Sequence, residues 1–159
     1  MLERVYIETS VVSYLKARPS RDLIIAAHQQ LTHEWWDNHR SDFELCCSQL
    51  VVKEAGAGDP QAAKERLEVL EGMILLDITE DAVRLASALI QAGALPGKAQ
   101  DDAFHIAISA PHGVPYILTW NCRHMANATM RPFIEAVCKD NNYVAPIICT
   151  PSELRKLKS

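Results

Sequence analysis

The chain has 159 residues, 48% of them hydrophobic, and a formal net charge of −4, which suits one compact domain over residues 1–159 with a sizeable core. An acidic balance excludes nucleic-acid binding by bulk positive charge, leaving only a local basic patch beside an acidic site. Five cysteines without a Cys-x-x-Cys pair offer neither a disulfide framework nor a zinc pattern.

Those cysteines are expected to be reduced, mostly buried thiols. No apolar run approaches the roughly 18 residues that span a bilayer, and no charged-then-apolar leader precedes the first strand. A cytoplasmic protein with no membrane partner is expected.

Val5-Tyr6-Ile7 is a short apolar run that predicts a buried first strand, ended by Glu8-Thr9-Ser10. Val11, Val12, Tyr14 and Leu15 follow at helical spacing, with Thr9 or Ser10 as the expected N-cap, and Pro19 breaks the helix. Asp22 opens an amphipathic helix to about Asn38, and Phe43 to Cys47 is the second strand. Ser48 is placed to cap a short helix from Gln49 to Ala55 that carries Glu54. A further helix begins at Pro60 and stops at Gly72, before a third strand from Met73 to Leu76. Thr79 caps the next helix, with Glu80 and Asp81 at the positive end of its dipole. A helix from Ala99 to Ser109, a strand at Tyr116 to Leu118, a helix from Met130 to Lys139 and a strand at Val144 to Ile148 complete the alternation. Thr150 and Glu153 have the spacing of a capping box.

Strands alternating with helices predict an α/β fold: a central, mostly parallel sheet of four to five strands covered on both faces. Sites in such sheets form at the carboxyl ends of the strands, near a topological switch point. Glu8, Thr9 and Ser10 follow the first strand; Ser48 and then Glu54 follow the second. Asp101 and Asp102 open the helix before the fourth strand, and Thr119, Trp120 and Asn121 follow that strand. Three separate segments thus bring carboxylates to one end of one sheet. Carboxylates held together repel unless a cation or a raised pKa relieves them, and hard oxygen ligands suit Mg²⁺ or Mn²⁺. Such an ion acidifies a bound water and stabilises charge on a phosphodiester, so phosphate-ester cleavage is the leading chemistry.

The residues that carry this pattern are Tyr6-Ile7-Glu8-Thr9-Ser10, Ser48 through Glu54, Asp102-Ala-Phe-His-Ile-Ala and Leu118-Thr-Trp-Asn121. In them the chain resembles the PIN-domain nucleases, and among these the VapC-like toxins of toxin-antitoxin pairs, over nearly its whole length. The resemblance implies a PIN-like α/β/α sandwich, Mg²⁺ or Mn²⁺, RNA as substrate, a protein antitoxin and a homodimer. The family's four acidic positions fall on Glu8, Glu54, Asp102 and Asn121. The first is usually Asp followed by Thr-Asn, and the fourth is usually Asp. Glu8 keeps the charge on a longer stem, whereas Asn121 keeps only an oxygen, which favours one metal over two. Glu8, Glu54 and Asp102 are expected to bind metal and activate water. Ser10 and Asn121 would orient the metal's waters or the scissile phosphate, and Arg123 is a candidate phosphate contact.

Blander readings compete at several positions. Glu44 rivals Glu54 but lies at the wrong end of its strand. Asp101 rivals Asp102, which shares a helical face with His105 and Ile106. His105, on an apolar helix, reads as a packed or supporting histidine rather than a ligand. His33, Glu34 and His39 fail the zinc-protease spacing, because the second His falls at i+6 where i+4 is needed. Of Trp35 and Trp36, one reads as core and the other as an interface residue. Lys16, Arg18 and Arg21 are solvated charges that could equally track an RNA backbone. The rival enzyme, a haloacid-dehalogenase-like phosphatase, needs two Asp residues where this chain has Glu8 and Ser10. The rival without catalysis is a PIN domain that binds RNA or protein and does not cut.

Overall fold

A computed structural model describes residues 1–157. Five strands, β1 (Arg4–Ile7), β2 (Glu44–Ser48), β3 (Ile74–Leu76), β4 (Tyr116–Leu118) and β5 (Ile147–Cys149), form one sheet in the order β3-β2-β1-β4-β5. Every pairing is parallel; in register, Tyr6 faces Cys46 on one side and Ile117 on the other. β1 is central, so Val5, Tyr6 and Ile7 are wholly buried, which explains its unbroken apolar run.

Parallel neighbours require crossovers, and helices supply them. Between β1 and β2 run α1 (Thr9–Lys16) and α2 (Leu23–Asn38); between β2 and β3 run α3 (Gln49–Ala55) and α4 (Pro60–Leu70). α5 (Glu80–Gln91) and α6 (Gln100–Ser109) precede β4, and α7 (Arg131–Asp140) precedes β5. α1 packs on α2, α3 and α4, whereas α5 packs on α6 and α7. Right-handed crossovers put these two groups on opposite faces of the sheet. After β3 the chain returns to the far side of β1, so the gap between β1 and β4 is the switch point.

Local chemistry corrects several sequence expectations. The N-cap of α1 is Glu8, whose carboxylate accepts from the Ser10 N–H, and not Thr9 or Ser10. Ser48 stands at the N-cap of α3 without a side-chain cap bond; its hydroxyl is bonded to Tyr6 instead. β5 starts at Ile147, not Val144, because Pro146 has no N–H for the ladder; Ile147 makes the first bond, to the Pro115 carbonyl at 2.8 Å. Thr150 and Glu153 form half a capping box, with Glu153 accepting from the Thr150 N–H (3.0 Å) in a turn that does not continue as a helix. Cys46, Cys47, Cys138 and Cys149 are buried and Cys122 is exposed; burial pushes the Cys46 and Cys149 thiols up to about 12.

Candidate active site

Glu8 follows β1 directly, and its N–H still bonds the Leu118 carbonyl of β4 (3.1 Å). That placement buries the carboxylate, 7% exposed, at the switch point. Its burial is compensated by three donors. Ser10 Oγ donates to Oε1 in a short bond, Thr119 Oγ1 donates to the same oxygen at 2.6 Å, and the Ser10 N–H reaches Oε2 at 3.2 Å. The two hydroxyls are fixed in turn: Ser10 Oγ accepts from the Trp120 N–H (2.8 Å), and Thr119 Oγ1 from the Asn121 N–H (2.9 Å). Ser10 and Thr119 therefore lock the first carboxylate from α1 and from the end of β4.

Glu54 comes from the strand on the other side of β1, carried by α3. Its Oε1 accepts from Thr9 Oγ1 (2.5 Å) and from His105 Nε2 (2.8 Å); among the described residues Oε2 has no hydrogen-bond partner. His105 is fully buried on α6, and its Nδ1 lies 2.7 Å from the Tyr6 hydroxyl, which is also 2.7 Å from Ser48 Oγ. A buried chain Ser48–Tyr6–His105–Glu54–Thr9 thus runs beneath the site. Burial opposes charge on both partners of its central pair, yet the pair overcomes it. The His105 bond and charge, with Thr9, hold Glu54 below its usual range, and Glu54, Glu8 and Asp102 hold His105 above its own.

One ligand atom each from Glu8, Glu54 and His105 lie within 4.8 Å of one another. Both His105 nitrogens are already committed, so the oxygens of Glu8 and Glu54 are what the group offers a cation. Asp102 lies outside that trio. It lines an open cleft of about 460 Å³ together with Glu54, Gly97, Ala99, Gln100 and Asp101. Its Oδ2 pairs with His124 Nδ1 at 3.1 Å. Asp101 is exposed in the same cleft, and Glu44 points away, in an ion pair with Arg4 at 2.9 Å. Asn121 turns its Oδ1 to the His124 N–H (3.0 Å), so it shapes the turn after β4, and Arg123 stands exposed in that turn. A larger cleft, of about 810 Å³ between Leu15, Trp36, Arg40 and Met73, is lined by Glu44 but by none of Glu8, Glu54, Asp102, His105 and Asn121.

Sequence reasoning did not find the His124–Asp102 pair, the Thr9–Glu54 bond or the Tyr6–Ser48 link. Each joins segments far apart in the chain, and a tyrosine inside an apolar strand reads as core. His105 was detectable as a polar residue on an otherwise buried helical face.

A five-stranded parallel sheet flanked by helices, with carboxylates gathered at its switch point, is a PIN-like fold. Among solved structures, the chain is similar to one from VapBC2 of Rickettsia felis, determined bound to a DNA fragment from their promoter. The TM-score is 0.59 at 11% identity, covering 92% of this chain and 98% of that one. Comparison with protein-family models gives no match, and comparison with curated proteins gives none. No helix among the described residues is long and apolar enough to cross a membrane.

Proposed function

We propose that this protein is a metal-dependent endoribonuclease that hydrolyses RNA phosphodiester bonds, the toxin of a toxin-antitoxin pair, acting as a homodimer with a protein antitoxin as partner. The observation that carries the reading is the convergence of Glu8 and Glu54, from segments that follow adjacent parallel strands, at the switch point of a PIN-like sheet. The likeness to a VapBC2 chain supports the same fold-level reading.

The donor set fits Mg²⁺ or Mn²⁺. Two carboxylates with an uncommitted oxygen on Glu54 are hard ligands, and the histidine grouped with them, His105, is saturated by Glu54 and Tyr6. Glu8, Glu54 and Asp102 would hold the ion, which when bound supplies an acidified water and charge stabilisation for the phosphate. His105 and Thr9 keep Glu54 ionised and aimed, while Ser10 and Thr119 keep Glu8 in one rotamer. Asp102, which lines the cleft, would order the attacking water or take its proton. Asn121 and Arg123 lie in the turn that would border the scissile phosphate.

A second reading, an RNA- or protein-binding PIN domain that does not cut, draws on two observations. The fourth position is an amide whose oxygen is spent on the turn, and Asp102 is already paired with His124. Cleavage of mixed structured and single-stranded RNA, with Mn²⁺, Mg²⁺ or EDTA and beside Asp102→Asn, separates the two. The nuclease cuts only with metal and loses activity in the variant; a binding module cuts under none of these conditions.

A further inference from the structure

Three rings lie beside the carboxylates. Trp120, whose N–H is bonded to the Ser10 hydroxyl, is buried with its Nε1–H donating to Thr32 Oγ1 at 2.7 Å. His28 of α2 stacks flat on that indole, with centroids 4.1 Å apart and planes 12° from parallel. Tyr14 of α1 completes the group, 6.2 Å from Trp120 and 6.4 Å from His28. Trp120 is the buried base of the stack, whereas His28 and Tyr14 are half-buried and open to solvent. The indole covers one imidazole face, and His28 is still partly exposed.

The neighbour of His28 braces the loop between α1 and α2. Gln29, only 7% exposed, accepts from the Ser20 N–H at 2.9 Å and donates to the Arg18 carbonyl at 3.1 Å. That loop carries exposed Arg18 and Arg21, and exposed Lys16 ends the helix before it. The backbone that carries these cations is therefore held by the residue next to His28, on a chain whose net charge is −4.

We propose that His28 and Tyr14, seated on Trp120, form a stacking subsite for one base of single-stranded RNA, with Arg18 and Arg21 contacting the phosphates that follow it. The inference rests on the reading of the protein as an RNA-cleaving enzyme and assigns where its substrate lies. Every base has a flat face for an aromatic platform, but only an unpaired base can leave its own stack to reach one. Four residues of α1 separate Tyr14 from Ser10, about 6 Å of helix. A nucleotide stacked on the platform thus has its backbone within reach of the carboxylates. Arg18 and Arg21 add a salt-sensitive contact to the phosphates on the far side.

The test is the anisotropy of a labelled single-stranded RNA in EDTA, where binding is read without cleavage, beside an abasic strand of the same length. His28→Gln and Tyr14→Ala are expected to weaken binding of the base-bearing RNA about tenfold, as loss of one stacked base does. His28→Phe is expected to restore most of it, and the abasic strand to bind wild type and His28→Gln alike. Circular dichroism checks that each variant is folded, and Tyr14→Ala carries the test if the His28 variants are not. Equal binding of the base-bearing RNA by wild type and folded variants, or an equal loss on the abasic strand, overturns the subsite while leaving RNA cleavage standing. Failure of wild type to bind any RNA overturns the subsite and the RNA reading together.

Discussion

His105 shows how one buried side chain sets the chemistry of another. Its imidazole sits between the Tyr6 hydroxyl and the Glu54 carboxylate, fully shielded from water, and orients the carboxylate that is the more open of the two converging acids. Removing it leaves a cavity and takes one partner each from Tyr6, which keeps Ser48, and Glu54, which keeps Thr9, so His105→Ala is expected to cost about 2–3 kcal/mol in urea unfolding at neutral pH. The pair also gives stability a pH window. Glu54 is held below its ordinary 4.5, so its contribution is present above that pH and is lost as pH falls through the lowered value. His105 is held above its ordinary 6.5, so its contribution is complete below that pH and is lost as pH rises through the raised value. Between about pH 4.5 and 6.5 both act. In EDTA, the unfolding midpoint of wild type should decline as pH rises above 6.5 relative to that of His105→Gln; parallel profiles would show that His105 carries no such charge.

At the scale of elements, helix ends explain both what was legible and what was not. Asp22 was readable as a start signal, and its carboxylate accepts from the N–H groups of Ile24 and Ile25, each at 3.0 Å. Asp22→Ala should therefore lower stability by about 1 kcal/mol, measured by thermal unfolding, and leave metal response unchanged. Thr and Ser are the commoner caps, so the sequence alone points to Thr9 or Ser10 as the N-cap of α1. Glu8 takes the position because the same carboxylate is pinned by Thr119 across the switch point, a contact that links residues 8 and 119 and leaves no local mark. The start of β5 has a local cause instead: Pro146 interrupts the apolar run from Val144 and delays the ladder to Ile147. The alternation of strands and helices was legible throughout, because buried parallel strands need unbroken apolar runs and their crossovers need amphipathic helices.

For the whole molecule, topology turns four distant segments into one site. β1 and β2 lie side by side, so Glu8 and the helix bearing Glu54 emerge together; β4 lies on the other side of β1, so Thr119 closes on Glu8 from there. The sequence allowed the acids to be placed at one end of the sheet, since parallel strands all end on the same side. It did not allow their partners to be assigned: the Asp102–His124 pair and the chain from Ser48 to Thr9 depend on side-chain packing among α6, β1 and the turn after β4. Such an arrangement concentrates negative charge where a hard cation relieves it. Mn²⁺ binding, followed by the loss of its free-ion electron paramagnetic resonance signal, tests that claim most directly. Wild type should bind the ion, and Glu54→Gln, which removes a charge but keeps the shape, should bind at least about tenfold more weakly. Equal binding by a folded Glu54→Gln protein, or none by wild type, would contradict a cation site built on these carboxylates.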